Sequence, residues 1–475
     1  MLGFTTRLIA ACALALVCAS ATLAQSTEPA VFVVTYPNAA PGKLSALTVN
    51  PDGTLNLVGV WDTSDTGPQA ISLSPGGRYV ALSHGTANNI EEKVDIFRVN
   101  PDATMSFVLT KLVPDSPLDL AWVSENLLAV TQTKLSGDNT VGLYEFGPAT
   151  PSLTEIARHI TGRFCTSLAM HPQGRFLFAN DSTANVIYTI EIFPDSSSAL
   201  LGSAPTGGIY PLGLGVTNDG TRIYAGGGIS GGGRAVHGYG IDALTGSLAP
   251  LPGSPYQSQG ASPKLAVASD DDRYVFVGHG TDATLRTMGV ESNGRLTPTG
   301  YSFDIGLQGT LGKVAVMENL LFVTDNSTAI DGKSGVYSFT VQTDGSLIMN
   351  GPDLFNTGSS SPNSIAAWNP RRRIVLAVSD VVSGGDAGFL VRGGPPNTPF
   401  ALVYSIAGPG RVRPNGWSIW IDLAHPVQAG PTRRTDSRGE AMFTLPVPNT
   451  SIPLVWFQVV RPDMKSNVVN RPVLR

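Results

Sequence analysis

Short apolar runs on either side of a tight polar turn recur through the middle of the chain. One copy reads Ile71-Ser-Leu-Ser-Pro-Gly-Gly-Arg-Tyr-Val-Ala-Leu-Ser-His84. Others read Leu168-Ala-Met-His-Pro-Gln-Gly-Arg-Phe-Leu-Phe-Ala-Asn-Asp181 and Leu214-Gly-Val-Thr-Asn-Asp-Gly-Thr-Arg-Ile-Tyr-Ala-Gly-Gly227. A fourth runs from Leu265 to His279, and weaker copies cover 120–130, 314–324 and 365–378. The residue after the turn falls at Arg78, Asn126, Arg175, Thr221, Arg273, Asn319 and Arg373. That is a repeat of roughly 50 residues, and each copy predicts a two-stranded hairpin.

A second hairpin follows most copies, with turns at Pro101-Asp102, Pro194-Asp195, Asn293-Gly294 and Asp344-Gly345. Asp and Gly suit such turns because they tolerate positive φ or bond their own backbone. Each unit therefore has four strands, lettered A to D. Complete units start near residues 68, 117, 165, 211, 263 and 310. The N-terminal piece supplies B (31–36), C (44–49) and D (54–61) without an A strand, and 365–368 supplies a lone A strand. Joined, they make a seventh unit closed by both ends of the chain. The expected fold is all-β, a seven-bladed β-propeller over residues 30–380. A linear solenoid would need capping ends and would not split one unit between the termini. One misfit stands: 374–378 also reads as a B strand and competes with 31–36. A breaker cluster follows, Ser383-Gly384-Gly385 and Gly393-Gly394-Pro395-Pro396, read as a linker over 381–396. Residues 397–475 lack the repeat motif and carry short strand-like runs, which predicts a small β-sandwich-like C-terminal domain rather than an eighth blade.

Composition agrees with this picture. Of the 475 residues 42% are hydrophobic and only 14% charged, against about 25% charge in ordinary soluble domains. The 53 Gly and 35 Pro argue against a coiled coil or helical bundle. A net charge of −5 offers no electrostatic basis for nucleic-acid binding. Arg7 precedes an apolar run over 8–23, with small residues at Ala19, Ser20, Ala21 and Ala24. This reads as a signal peptide over 1–24, and hence a secreted, periplasmic or cell-surface protein with no membrane span after cleavage. A lipidated Cys18 is the weaker alternative, because Ala15-Leu16-Val17 matches a lipoprotein site poorly. Cys12 and Cys18 leave with the signal, so Cys165 stands alone, without a disulfide, and reads as a small buried hydrophobe.

The A–B motif, the C–D turns and the unit count resemble the lactonase family of seven-bladed propellers, similar to bacterial 6-phosphogluconolactonase and fungal muconate cycloisomerases. The resemblance covers residues 30–380. It implies a site lined by a histidine-bearing A strand, an acidic B–C loop and arginines from neighbouring blades. The matching stretch here is Phe164-Cys165-Thr166-Ser167 followed by Asn180-Asp181. The histidine is missing from that strand, and His171 sits in the A–B turn toward the opposite face. Only Asp181 carries over. The stretch from Arg438 to Pro448 resembles an end module of secreted planctomycete-type bacterial proteins.

The longer B–C and D–A connections share one face of a propeller, where function is usually placed. The B-strand ends, Tyr36, His84, Gln132, Asp181, Gly227, His279 and Asp325, then read as a polar ring at one mouth of the channel. A Gly-rich B–C loop, 226–233, brings Arg234 toward the same mouth. Asp270-Asp271-Asp272 reads as turn chemistry before a cation site, and Arg371-Arg372-Arg373 as a turn. Neither a Gly-x-Ser-x-Gly elbow nor a His-Glu-x-x-His motif is present. No metal or cofactor is expected. The first functional reading is an exported binding or interaction module for a small molecule or a protein or cell-surface partner. The alternative is a lactonase-like hydrolase or isomerase of a sugar-acid lactone. It would polarise the carbonyl with Arg234 or His279 and use Asp181 as base.

Overall fold

The computed structural model describes residues 28–36, 41–85, 92–172, 174–193, 195–208, 210–228, 234–305, 311–326, 334–351, 353–370, 374–392, 398–412, 414, 421–435, 441–461, 464–466 and 468–474. The expected signal segment 1–24, the loop 229–233, Arg371-Arg372-Arg373 and Gly393 to Pro396 lie outside them. Every regular element among the described residues is a β-strand.

The first blade joins Pro68–Leu73, Tyr79–His84, Glu92–Val99 and Met105–Val113 in that order, all antiparallel. Five more sheets repeat the order over 120–160, 168–205, 211–257, 263–304 and 311–349. The seventh sheet draws on both ends of the chain. Pro362–Trp368 pairs with Ala30–Thr35, which pairs with Lys43–Val49 and through it with Leu55–Asp62. The inner strand of each blade lies against that of the next, all the way round from Pro68–Leu73 to Pro362–Trp368 and back to Pro68–Leu73. The described residues thus form a closed ring of seven blades, a β-propeller.

The second strand of each blade explains the packing. It is apolar along nearly its whole length because it is buried on both faces. Strand residues alternate between faces, so Ala30, Phe32 and Val34 pack with Val80, Leu82 and Phe97 of the first blade. Val31 and Val33 pack the other way, with Phe322 and Val336 of the sixth. Turn chemistry sets the register. Asp52 Oδ1 accepts the Thr54 N–H (3.0 Å) and hydroxyl (2.6 Å), and Asp102, Asp195 and Asp344 repeat this at their own C–D turns. At the same end the A–B turns are bonded from blade to blade. His171 Nε2 lies 2.9 Å from Gly220 O, and Asn218 and Asp219 donate backbone N–H to Asp272 at 2.7 and 2.9 Å. Glu125 accepts from Gly76 and Ser74.

The C-terminal unit has two facing sheets. One joins Val375–Val378, Asp386–Arg392 and Ala441–Pro446; the other is built on Pro399–Ser405, Leu454–Arg461 and Val469–Leu474. Between them lies one core that includes Leu376, Phe389, Val391, Phe400, Leu402, Val459 and Val469. Two expectations are corrected. Val375–Val378 is not a competing B strand: its partner is Asp386–Arg392, and Ala30–Thr35 alone completes the seventh blade. The stretch 381–396 is not a linker throughout, because Val381–Val382 and Asp386–Arg392 are strands of the C-terminal unit. Ser383-Gly384-Gly385 lies in the hairpin connection between Val375–Val378 and Asp386–Arg392.

Candidate functional site

The B-strand ends occupy the face predicted for them, but their side chains do not line the channel. A strand that faces neighbouring blades on both sides keeps its last residue inside as well. His84, Gln132, Asp181 and His279 are fully buried and Asp325 is 4% exposed. His84 Nδ1 lies 3.1 Å from Thr66 O and its Nε2 lies 3.0 Å from Asp95 Oδ2. Gln132 Nε2 donates to Tyr144 Oη at 2.5 Å, and its Oε1 accepts from Thr140 Oγ1 at 2.5 Å. His279 Nδ1 lies 3.2 Å from Thr284 O and Nε2 2.9 Å from Ser258 Oγ. Burial holds the His279 imidazole below its usual value.

Asp181 does not have the surroundings of a catalytic base. Its carboxylate accepts the backbone N–H groups of Arg163 (2.8 Å), Phe164 (3.2 Å), Thr183 (2.9 Å) and Ala184 (3.0 Å). Gly162, at φ +89°, brings the incoming loop so close that a Cβ there would overlap the Asp181 carboxylate. Asp181 thus ties its B–C loop to the segment entering the third blade. Its neighbour Asn180 accepts from Thr166 N (3.0 Å) and Ser167 N (2.7 Å). Of the predicted ring, Tyr36 is 40% exposed. Arg234 is exposed, and its carbonyl accepts Ser258 N–H at 2.7 Å. Gly227 offers only backbone. Cys165 is buried and free, its thiol pushed up to about 12 by burial. Asp271 accepts from Ser269 Oγ within its own turn, and among the described residues no His, Cys, Asp and Glu cluster suits a metal.

Part-exposed charged groups stand instead at the beginnings of the inner strands. These lie on the same face, since the first residue of an A strand pairs with the last of its B strand, as Pro68 does with His84 and Pro263 with His279. Here stand Asp119, Lys264 and Lys313, each part-exposed and set among apolar residues: Leu118-Asp119-Leu120, Pro263-Lys264-Leu265, Gly312-Lys313-Val314. Asp119 accepts Leu120 N–H at 3.0 Å and, across the blade boundary, Leu168 N–H at 2.9 Å; the Ser167 hydroxyl donates to it as well. Burial raises its carboxyl above the usual value, with Lys313 and these donors pulling the other way.

Lys264 and Lys313 carry neither an ion pair nor a side-chain hydrogen bond among the described residues. Burial, with Lys313 beside it, brings the Lys264 ammonium down to about 8. The fourth blade explains how Lys264 is seated. Its inner strand, Pro211–Val216, has glycine at 213 and 215, where a Cβ would overlap Lys264 O and Ala266 O. The backbones of the two inner strands therefore meet directly. Next to Lys313, Asn363 Nδ2 donates to Pro68 O (3.2 Å) and Gln69 O (3.1 Å), joining the seventh blade to the first. Sequence reasoning passed over this trio. Its one local signal is a charge inside an otherwise apolar inner strand.

No family model matches the chain, and no curated protein matches it significantly. Solved structures do. A putative 6-phosphogluconolactonase from Bacteroides uniformis is similar at 13% identity and TM-score 0.61, over 72% of this chain and 99% of that one. One from Bacteroides fragilis is similar at 16% and 0.60, over 72% and 98%. A periplasmic gluconolactonase from Pseudomonas aeruginosa is similar at 18% and 0.58, over 72% and 99%. At such identities the likeness concerns the fold, which is a lactonase-like β-propeller.

Proposed function

We propose that the protein is an exported lactonase-like enzyme, a hydrolase or isomerase of a sugar-acid lactone, acting at the channel mouth lined by Asp119, Lys264 and Lys313. The observation that carries this reading is the pair of unpartnered ammonium groups on adjacent inner strands, with a donor-held carboxylate on a third. A lactone is a cyclic ester, and attack on its carbonyl builds negative charge on the carbonyl oxygen. A fixed cation in a recessed site stabilises that charge. Lys313 takes this role, and Asp119 takes the proton of the attacking water. This arrangement replaces His279 and Asp181, which are fully buried, whereas Asp119 is part-exposed. The propeller likeness to two putative 6-phosphogluconolactonases and a periplasmic gluconolactonase supports the substrate class. The apolar segment 8–23 supports export, and no helix among the described residues is long and apolar enough to cross a membrane. The C-terminal unit, with its resemblance to an end module of secreted proteins, is read as an appended domain.

The test is ring opening of a panel of sugar-acid γ- and δ-lactones by the purified chain without residues 1–24, followed by acid release at constant pH. Turnover that falls at least 100-fold in both Asp119→Asn and Lys313→Met, with unchanged melting, supports the assignment. Turnover that survives both changes removes it. Binding of a lactone without turnover returns the protein to the binding-module reading.

A further inference from the structure

We infer that Phe164 and Tyr210 form a stacking platform for the C–H face of a sugar ring, on the face of the propeller where Asp119, Lys264 and Lys313 stand. Their ring centroids lie 6.4 Å apart, with the planes tilted by 32°. A sugar held between two aromatic faces needs about 7–8 Å, two carbon contacts of roughly 3.5–4.0 Å each. Nothing fits between these rings, so the pair offers its outer faces as one surface. Both residues are part-exposed, and neither belongs to the apolar cores that flank the third blade. Backbone bonds to the end of one B strand and its B–C loop, 181–185, fix both. Phe164 N–H donates to Asp181 Oδ1 (3.2 Å), and Phe164 O accepts Ser182 N–H (3.0 Å). Tyr210 N–H donates to Asn185 Oδ1 (2.6 Å), and the next carbonyl, Pro211 O, accepts from Ser182 Oγ (2.5 Å). Tyr210 O also accepts Gly228 N–H at 2.7 Å from its own blade. Tyr210 is held at φ +52°, a left-handed conformation that a bulky residue keeps only where its surroundings impose it, and such positions cluster at ligand sites.

Both residues lead into inner strands at the end where the B strands finish, since Leu168 pairs with Ala179 and Pro211 with Gly227. Phe164 lies four residues before Leu168, whose N–H is bonded to Asp119. Tyr210 lies three before Gly213, which meets Lys264 O. At no more than about 3.6 Å per residue, the two backbones are within roughly 15 and 11 Å of those contacts. The ligand class follows from the rings. An aromatic face is electron-rich, and sugar C–H groups, each on a carbon that bears oxygen, are electron-poor. A closed sugar ring presents several of them on one flat side and keeps its hydroxyls at the edge. A ring-opened sugar acid has no such side, so the platform favours the lactone over its hydrolysis product. Naming the ring a lactone rests on the proposed activity; the stacking itself does not.

The probes are D-glucono-δ-lactam and D-galactono-δ-lactam, cyclic amides that keep the ring and resist hydrolysis, so that binding to the full chain without residues 1–24 is read without turnover. Saturation of the protein's aromatic protons should pass to the C–H protons of the lactam ring. Phe164→Leu and Tyr210→Leu should each raise the calorimetric Kd about 10-fold, the size of one aromatic contact, with melting unchanged. Phe164→Tyr and Tyr210→Phe keep the ring and should stay within about threefold of wild type. D-gluconate should bind about 10-fold more weakly than its lactam and lose nothing further in the Leu variants. On a lactone that is turned over, the Leu variants should raise KM and leave kcat unchanged, because the lost contact is equal in the ground and transition states. If a Leu variant fails to fold, the wild-type saturation transfer and the ratio of lactam to gluconate affinity decide. Lactam affinity that depends on both rings supports the platform even without turnover, a result that removes only the catalytic reading. Turnover with KM and Kd unchanged in both Leu variants overturns the platform and leaves the catalytic assignment standing. No binding of either lactam overturns it as well, and equal affinity for lactam and gluconate overturns the preference for the closed ring.

Discussion

His84 Nε2 and Asp95 Oδ2 lie 3.0 Å apart with both side chains sealed from solvent, and Asp95 also accepts from Ser64 N (2.8 Å) and Thr110 Oγ1 (2.5 Å). This one pair links the B strand, the C strand and the loop entering the first blade. Removing either partner leaves a buried polar group without its hydrogen bond, at a cost of about 1–3 kcal/mol. His84→Ala and Asp95→Asn should each lower the urea midpoint accordingly. A loss below about 1 kcal/mol in both would show that the pair does not hold the blade.

The same carboxylate predicts an acid limb. Burial raises the Asp95 carboxyl, but the hydrogen bonds from His84, Ser64 and Thr110 outweigh it and leave it below 3.8. The unfolded chain then binds the Asp95 proton first as pH falls. Its contribution to stability is complete above 3.8 and drains away as pH drops through the lower native value. Urea unfolding from pH 5 to 2 should show a flatter slope in Asp95→Asn than in wild type.

His171 predicts the opposite kind of titration. Burial brings its imidazole down to about 4 from 6.5, and the neutral ring keeps its contact with Gly220 O. Between those values the unfolded chain binds a proton that the native state refuses. Stability should therefore fall by roughly 3 kcal/mol as pH is lowered across that window. In His171→Gln the fall should be largely absent; a fall of equal size in the variant would assign it elsewhere.

Asp181 separates scaffold from chemistry. With four backbone N–H groups on its carboxylate, Asp181→Asn should cost on the order of 2–4 kcal/mol of stability. Protein that remains folded should keep its lactone turnover within about threefold. Turnover abolished in folded variant would restore the residue to the active site.

Gly213 ties packing to the site. A Cβ there meets Lys264 O and Leu265 Cα, atoms that shift only if the inner strand shifts. Gly213→Ala should cost about 1–3 kcal/mol, read as a lower urea midpoint. A variant as stable as wild type would mean that the strand contact is looser than the structure shows.

The repeat was legible in sequence because its punctuation is local. Asp102 bonds the residue two positions on, and it needs nothing from the rest of the chain to do so. The closing blade was legible for a related reason: 31–36 and 365–368 each lacked the strand the other supplied. The Gly-rich stretch after Val378 misled, since the same residues that mark a linker also turn a hairpin, and only the pairing of Asp386–Arg392 with two neighbours distinguishes them.

The polar ring failed at one step, which way a strand-end side chain points. His84, Asp181 and His279 terminate their strands as read, yet each is closed in by a loop or strand from elsewhere in its own blade or from the blade before. Alternating apolar positions, turn residues and an incomplete first unit were enough to determine an all-β ring joined by its two ends, because strand period and turn geometry are properties of a few adjacent residues. Which groups share the channel was decided by tertiary structure alone. Asp119, Lys264 and Lys313 sit on three separate blades, and only closure of the circle brings one ammonium within electrostatic range of the other and of the carboxylate.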